Sequence, residues 1–146
     1  MSEIPFQRLH PDARLPTRAH DDDAGFDLHA TETAVLAPGE RCAVGCGFAM
    51  ALPAGLAALV VPRSGLALHE GLGVLNAPGL IDAGYRGEIK VILVNHDPLA
   101  TRSVEVGDRI AQLVLVQFPA AAFTEVAALP GSVRGEGGFG STGKSA

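Results

Sequence analysis

Tryptophan is absent from the chain, tyrosine occurs once, and aromatic residues make up only 5% of its 146 positions. A core without large rings must be assembled from Ala, Val, Leu and Ile. Cysteine is scarce as well: Cys42 and Cys46 stand together in RCAVGCGF. On a strand they share a face at about 13 Å (roughly 3.3 Å per residue over four residues). That is too far for a disulfide or a shared metal ion, so they read as two buried thiols of a cytoplasmic protein. Basic runs are missing. Lys and Arg total 11 against 16 Asp and Glu, for a formal charge of -5, which argues against the clustered positive charge of a nucleic-acid groove. No apolar run approaches membrane-spanning length, and the opening MSEIPFQRLHPDARLP lacks the basic-then-apolar order of a secretion signal. We therefore expect neither a nucleic-acid nor a membrane partner. A polyanionic small molecule remains open, because a few Arg side chains, backbone amides and a metal ion suffice locally.

Long helices are also excluded. The 18 Gly and 10 Pro leave few uninterrupted stretches, and the longest, 88–97 and 108–118, lie near the lower limit of helix length. They read as strands. In Arg41–Met50 the even positions (Cys, Val, Cys, Phe, Met) form a bulky face and the odd ones a small face, with period two. Further strands are expected at Leu56–Val61, Glu88–Asn95, Ser103–Val106 and Arg109–Phe118. Ile89, Val91 and Leu93 share a face, and the last strand is apolar on both, as an inner strand would be. Ser64–Gly71 alone reads as a short helix. The expectation is one all-β domain over 1–130, a distorted jelly roll, sandwich or barrel. The tail, GSVRGEGGFGSTGKSA (131–146), holds six of the 18 glycines and only two large apolar residues, Val133 and Phe139. It cannot bury enough surface to order itself and is expected to move until something binds it.

Four segments stand out from the apolar strands. DDDAGFDLHA (21–30) offers carboxylates to a hard cation such as Mg²⁺; taken alone, it reads more simply as a solvated turn before a strand. VPRSGLALHEG (61–71) joins a strand to the short helix, so Arg63, Ser64 and the free amides near Gly65 form a phosphate seat; the plainer role for Ser64 is an N-cap. In NAPGLIDAGYRGEIK (76–90), Asp82 can orient a water as nucleophile, or be a turn aspartate beside a core tyrosine. RGEGGFGSTGKSA (134–146) contains GFGSTGKS, which fits the P-loop pattern, but that loop needs a helix after it and only Ala146 follows Ser145 here. A glycine-rich strip with Arg134 could still wrap a triphosphate, and Phe139 has no core to join and is free to stack on a base. The five His residues show no metal-ligand spacing, and no GxSxG elbow is present.

Together with GDRIAQLV (107–114), these segments resemble the five motifs of the dUTPase family, in the family's order: AGFDLHA, PRSGLA, NAPGLIDAGYRGEIKV, GDRIAQLV and RGEGGFGSTG. The resemblance spans residues 23–143. It implies a distorted jelly-roll subunit, a homotrimer with three active sites shared between subunits, and Mg²⁺-assisted hydrolysis of dUTP to dUMP and pyrophosphate by in-line attack of water on the α-phosphorus. Such an enzyme keeps uracil out of DNA and supplies dUMP for dTMP synthesis. By the same resemblance, residues 76–90 form a β-hairpin whose backbone reads uracil, with Asn76, Leu80 and Ile81 as contacts. Tyr85 packs under the deoxyribose and excludes a 2′-hydroxyl, and Asp82 orients the water. Arg63, Ser64, Gly65 and Gln112 hold phosphates, Lys90 contacts substrate, and Asp27 reaches Mg²⁺ through its water. The tail of another subunit stacks Phe139 on uracil and brings Arg134 to the γ-phosphate. Two other readings are weighed: a dCTP deaminase of the same fold, against which Tyr85 and the stacking tail speak, and a non-catalytic sandwich module, which leaves the co-occurrence of Asp82, Arg134 and Phe139 without a reason.

Overall fold

A computed structural model describes residues 3–143. In chain order the strands are β1 (Phe6–Arg8), β2 (Gly25–His29), β3 (Ala34–Leu36), β4 (Arg41–Gly45), β5 (Phe48–Met50) and β6 (Leu56–Val61). After the helix α1 (Ser64–Glu70) come β7 (Leu72–Val74), β8 (Gly79–Ile81), β9 (Lys90–Asn95), β10 (Arg102–Val104) and β11 (Arg109–Gln117). All pairings are antiparallel. The larger sheet runs β2-β11-β6-β8 and a second runs β4-β9-β7, while β1-β5 and β10-β3 form two-stranded ribbons. This is the expected all-β jelly roll with one short helix.

The core is aliphatic, as the lack of rings requires. Ile89, Val91 and Leu93 are sealed from solvent, and Leu28, Leu36, Val44, Phe48 and Ile110 pack with them. Phe6 and Phe48 make a stacked ring pair, with centroids 4.9 Å apart. The long strand expected over Arg41–Met50 is broken. Gly47 turns with φ 70, and a Cβ there would sit 2.7 Å from His10 and 2.8 Å from Thr31, so only glycine fits. From Val44 to Met50, on both sides of the break, both faces are buried, so the small residues Gly45 and Ala49 lie inside. The strand expected at Ser103–Val106 is instead Arg102–Val104, because Glu105–Asp108 closes a turn in which Gly107 has φ 90.

As expected, β11 lies between β2 and β6. Its register against β2 shifts between Arg109 and Ala111, so Ile110 and Ala111 are both buried in succession, as a β-bulge permits. Beyond the bulge Gln112 stands opposite Asp27 on one side and Val61 on the other. The expected hairpin 76–90 is not a paired ladder. Its arms are β7 and β9, which pair Leu72 with Asn95 and Val74 with Leu93. The stretch between them leaves that sheet and lends β8 to the edge of the larger one. The packed body ends at Gln117: Phe118 N–H donates to Gly55 O at 3.1 Å, and residues 118–143 form neither strand nor helix.

Candidate active site

The excursion between β7 and β9 encloses a cavity of about 350 Å³ lined by Asn76, Leu80, Ile81, Asp82, Tyr85 and Lys90, among others. Gly79, Leu80 and Ile81 pair with Val60, Leu59 and Ala58 of β6. Their other edge has no strand partner among the described residues and faces the cavity, leaving backbone donors and acceptors for a ligand. Gly79 lies close against Asn76, whose side-chain amide would be 3.1 Å from a Cβ at that position. Asp82 is exposed at the rim, and its backbone carbonyl accepts from Tyr85 N–H at 3.1 Å. The Tyr85 ring is about half exposed, and its hydroxyl donates to Glu88 O at 3.1 Å. Glu88 ties the segment down: one carboxylate oxygen accepts from Gly47 N–H at 3.1 Å and the other pairs with Lys90 Nζ at 3.4 Å.

A second group gathers where β6 gives way to α1. Residues directly opposite in a sheet share a face, so Asp27, Gln112 and Val61 form a row. Arg63, extended at φ -91 and ψ 128, prolongs it. Asp27 Oδ1 lies 3.7 Å from Arg63 Nε, and Oδ2 lies 3.3 Å from Arg109 Nη1. Arg63 Nη1 also donates to the Arg109 carbonyl at 3.1 Å. The Gln112 side chain lies across Gly25, where a Cβ would crowd it at 3.2 Å. The adjoining cleft, about 260 Å³, is lined by Arg63, Leu66, Asp108 and Arg109. Burial lowers the pKa of His29 below the ordinary histidine value, and Arg14 adds to the effect. His29 is opposite Arg109 on the neighbouring strand, and the cleft sets Arg63 and Arg109 against Glu70 and Asp108. Ser64 is not the N-cap: Arg63 holds that position, no side chain caps the helix, and Ser64 opens its first turn. That leaves the Ser64 hydroxyl and the first-turn amides unclaimed by each other.

The two groups are distinct within one chain. Their cavities share no lining residue. Ile81 stands opposite Ala58, so Arg63 lies roughly 16 Å further along (about 3.3 Å per residue over five residues). Arg134 and Phe139 join neither. Among the described residues Arg134 Nε donates to Gly137 O within its own turn, at 2.8 Å, and Phe139 is fully exposed with φ 49. Lys144 lies outside the described residues. No three His, Cys, Asp or Glu gather as a metal cluster among the described residues, and Asp27 is a single carboxylate facing two guanidinium groups. A third cleft, about 120 Å³ between Phe6, Phe26, Met50 and Leu113, is lined by apolar residues only.

Arg109, Glu88 and the glycines at 25 and 87 were not singled out from the sequence. Arg109 lies within GDRIAQLV, but only the register across the sheet reveals its bond to Asp27. A glycine inside each motif was the available signal for the close packing of Gln112 and Tyr85.

The dUTPase family model matches residues 11–143. A curated relative, the deoxyuridine 5'-triphosphate nucleotidohydrolase of Nocardia farcinica, is 55% identical over 143 residues, covering 98% of this chain and 87% of its own. The solved structure of Staphylococcus bacteriophage 80alpha dUTPase with dUPNHPP superposes with a TM-score of 0.92 at 30% identity, covering 99% of this chain and all of the other. A D95N mutant dUTPase from phage phi11 of S. aureus, described with a structural Mg(II) ion, has a TM-score of 0.82 at 27% identity and covers 89% of this chain and all of its own.

Proposed function

Because this chain belongs to the dUTPase family, its reaction is the hydrolysis of dUTP to dUMP and pyrophosphate, and we propose how its residues divide that work. Uracil sits against the unpaired edge of β8, with Asn76, Leu80 and Ile81 around it, so that backbone amides and carbonyls read the base as a pairing strand would. The sugar lies on Tyr85, whose ring leaves no room for a 2′-hydroxyl, and Lys90 contacts the nucleotide from the same cavity. Asp82 orients the attacking water by accepting its proton at the carboxylate. The triphosphate lies on Arg63, Ser64, Gly65 and Gln112, where a guanidinium, a hydroxyl and helix-start amides converge.

The observation that carries this reading is the separation of the two cavities. A water positioned by Asp82 must approach the α-phosphorus to about 3–3.5 Å. Roughly 16 Å of strand stands between that water and Arg63 of the same chain. The separation supports a site completed by another copy: the uracil cavity of one subunit faces the phosphate seat of a second, in a homotrimer. The tail, 131–146, closes over the nucleotide from a further subunit, stacking Phe139 on the base and bringing Arg134 to the γ-phosphate.

The donor set fits Mg²⁺ only as an ion that keeps its waters and takes most of its ligands from the triphosphate, with Asp27 holding it through a water. When bound, Mg²⁺ neutralises phosphate charge. The free thiols of Cys42 and Cys46 support a reducing compartment, the cytoplasm; burial raises the Cys46 pKa to about 12.

Pyrophosphate release assayed on dUTP, UTP, dCTP and dTTP tests the assignment: turnover of dUTP alone is expected. Ammonia released from dCTP would instead favour the deaminase reading. Light scattering should give three times the 15.0 kDa chain mass; a fully active monomer would remove the shared site.

A further inference from the structure

The turn Tyr85–Glu88 contains a close approach that the assignment of Tyr85 leaves unexplained. A Cβ built on Gly87 would fall 2.6 Å from Cζ and 3.0 Å from Cε2 of the Tyr85 ring, and closer still to its hydroxyl. Beyond its two chain neighbours, the three nearest atoms all belong to Tyr85. Gly87 does not have a left-handed backbone, so it is not there to permit the turn. Tyr85 lines the cavity and Gly87 does not, so the ring stands between Gly87 and the nucleotide space. Its hydroxyl is tethered to the carbonyl of Glu88 at 3.1 Å, which holds the hydroxyl end of the ring against the glycine.

We propose that Gly87 is a positioning residue for sugar recognition: its missing side chain is the recess into which Tyr85 leans, and this recess sets how far the ring intrudes on the deoxyribose. The proposal rests on the reading of Tyr85 as the sugar contact. With alanine at 87 the ring must move, since it is the exposed, outer end of a side chain whereas the turn is anchored by Glu88 to Gly47. It moves forward, into the cavity, and loses its tether to Glu88. The deoxyribose then meets a ring where there was space, and binding suffers while the segment carrying Asp82 keeps its place.

The test is a double-mutant cycle read in steady-state kinetics on the intact enzyme with dUTP and UTP as substrates. Gly87→Ala should raise KM for dUTP about tenfold or more, the scale on which a pocket registers one misplaced methylene, with a smaller change in kcat. In the Tyr85→Ala background the same substitution should change KM by less than about twofold, because the clash has lost its partner. In the Tyr85→Phe background, which lacks the nearest atom, the effect should be intermediate. A purely structural role for Gly87 would give the same loss in all three backgrounds and would overturn the proposal, as would an unchanged KM in Gly87→Ala. If Tyr85→Ala itself alters neither KM for dUTP nor the UTP/dUTP ratio of kcat/KM, the sugar-contact reading has failed. If Tyr85→Ala alters them but Gly87→Ala does not, the recess alone has failed.

Discussion

Two arginines divide this molecule. Arg63 is mounted on the sheet: its guanidinium meets Asp27, donates to the Arg109 carbonyl, and is half-buried at the end of a six-residue strand. Among the described residues Arg134 bonds to a carbonyl three residues away, in a segment whose side chains are almost all exposed. In the proposed site the first is already placed for phosphate and the second is brought by the tail. Preorganised charge needs no reorganisation at the moment of reaction, whereas a tail that closed as proposed would give up chain entropy and gain an enclosed, drier site in return. The same contrast separates Tyr85, tethered to Glu88, from Phe139, which touches nothing that would hold it.

The largest effect should come from the body. Asp82→Asn keeps the shape of an exposed rim residue but is a far poorer proton acceptor, so turnover should fall about 10²–10⁴-fold with unchanged thermal stability. Near-normal kcat in that variant would remove Asp82 from the mechanism.

Removing the tail is expected to cost less. Deleting residues 131–146 forfeits the proposed Phe139 stack, about 1–3 kcal/mol, and the proposed Arg134 contact, so kcat/KM should drop roughly 10- to 10²-fold or beyond. The ligand-free melting temperature should hold, since nothing in 131–143 joins the core. A large fall in Tm would show that tail and body are not separable. Co-refolding this deletion with Asp82→Asn should restore part of the activity in mixed trimers; if mixtures stay as inactive as the parents, the tail does not serve another subunit's site.

Arg109→Ala probes how much the mounting matters. Asp27 loses its shorter partner and Arg63 keeps one carboxylate oxygen at 3.7 Å, so kcat/KM should fall up to about tenfold, the scale of a single hydrogen bond near 1 kcal/mol. Stability should change by only about 0.2–1 kcal/mol, as for other exposed pairs, because half of the Arg109 side chain is exposed. Wild-type kinetics would mean that Asp27 and Arg63 need no such brace.

The smallest effect concerns pH and lies far from both arginines. The N–H groups of Ala100 and Leu99, then Arg102, hold the Asp97 pKa at about 2, below an unfolded value of about 3.9. A carboxylate depressed on folding stabilises the protein above its unfolded pKa and loses that contribution as pH falls towards 2. Asp97→Ala should therefore lower Tm modestly at pH 7 and progressively less between about pH 4 and 2. A gap that stays constant with pH would assign the loss to packing.

Much of this was legible in the sequence. The aliphatic alternation of Ile89, Val91 and Leu93 set their common face, and the two-sided apolar pattern of Arg109–Phe118 marked an inner strand. Asp27, Arg63, Asp82, Tyr85 and Gln112 all lie in the two clefts or beside them. What misled was brevity. β1, β3, β7 and β8 have three residues each, too few for a period to show, and β8 joins its sheet only because β6 offers a partner. The break at Gly47 is set by His10 and Thr31, neither of which is local to it.

By itself, then, the sequence determined the chemistry available: which carboxylates, guanidinium groups and rings exist, that they sit on short strands, and that a tail so rich in glycine has no core to join. Tertiary structure alone decided which of them meet. Arg109 reaches Asp27 across 82 residues because a register shift between Arg109 and Ala111 puts both side chains on one face, and Asp82 and Arg63 are kept apart by the length of a strand they both adjoin. The physical reason is that side chains alternate with period two, so a slip of one residue in pairing sends every group to the opposite face. Strand register is settled by the partner strand, which local composition does not specify.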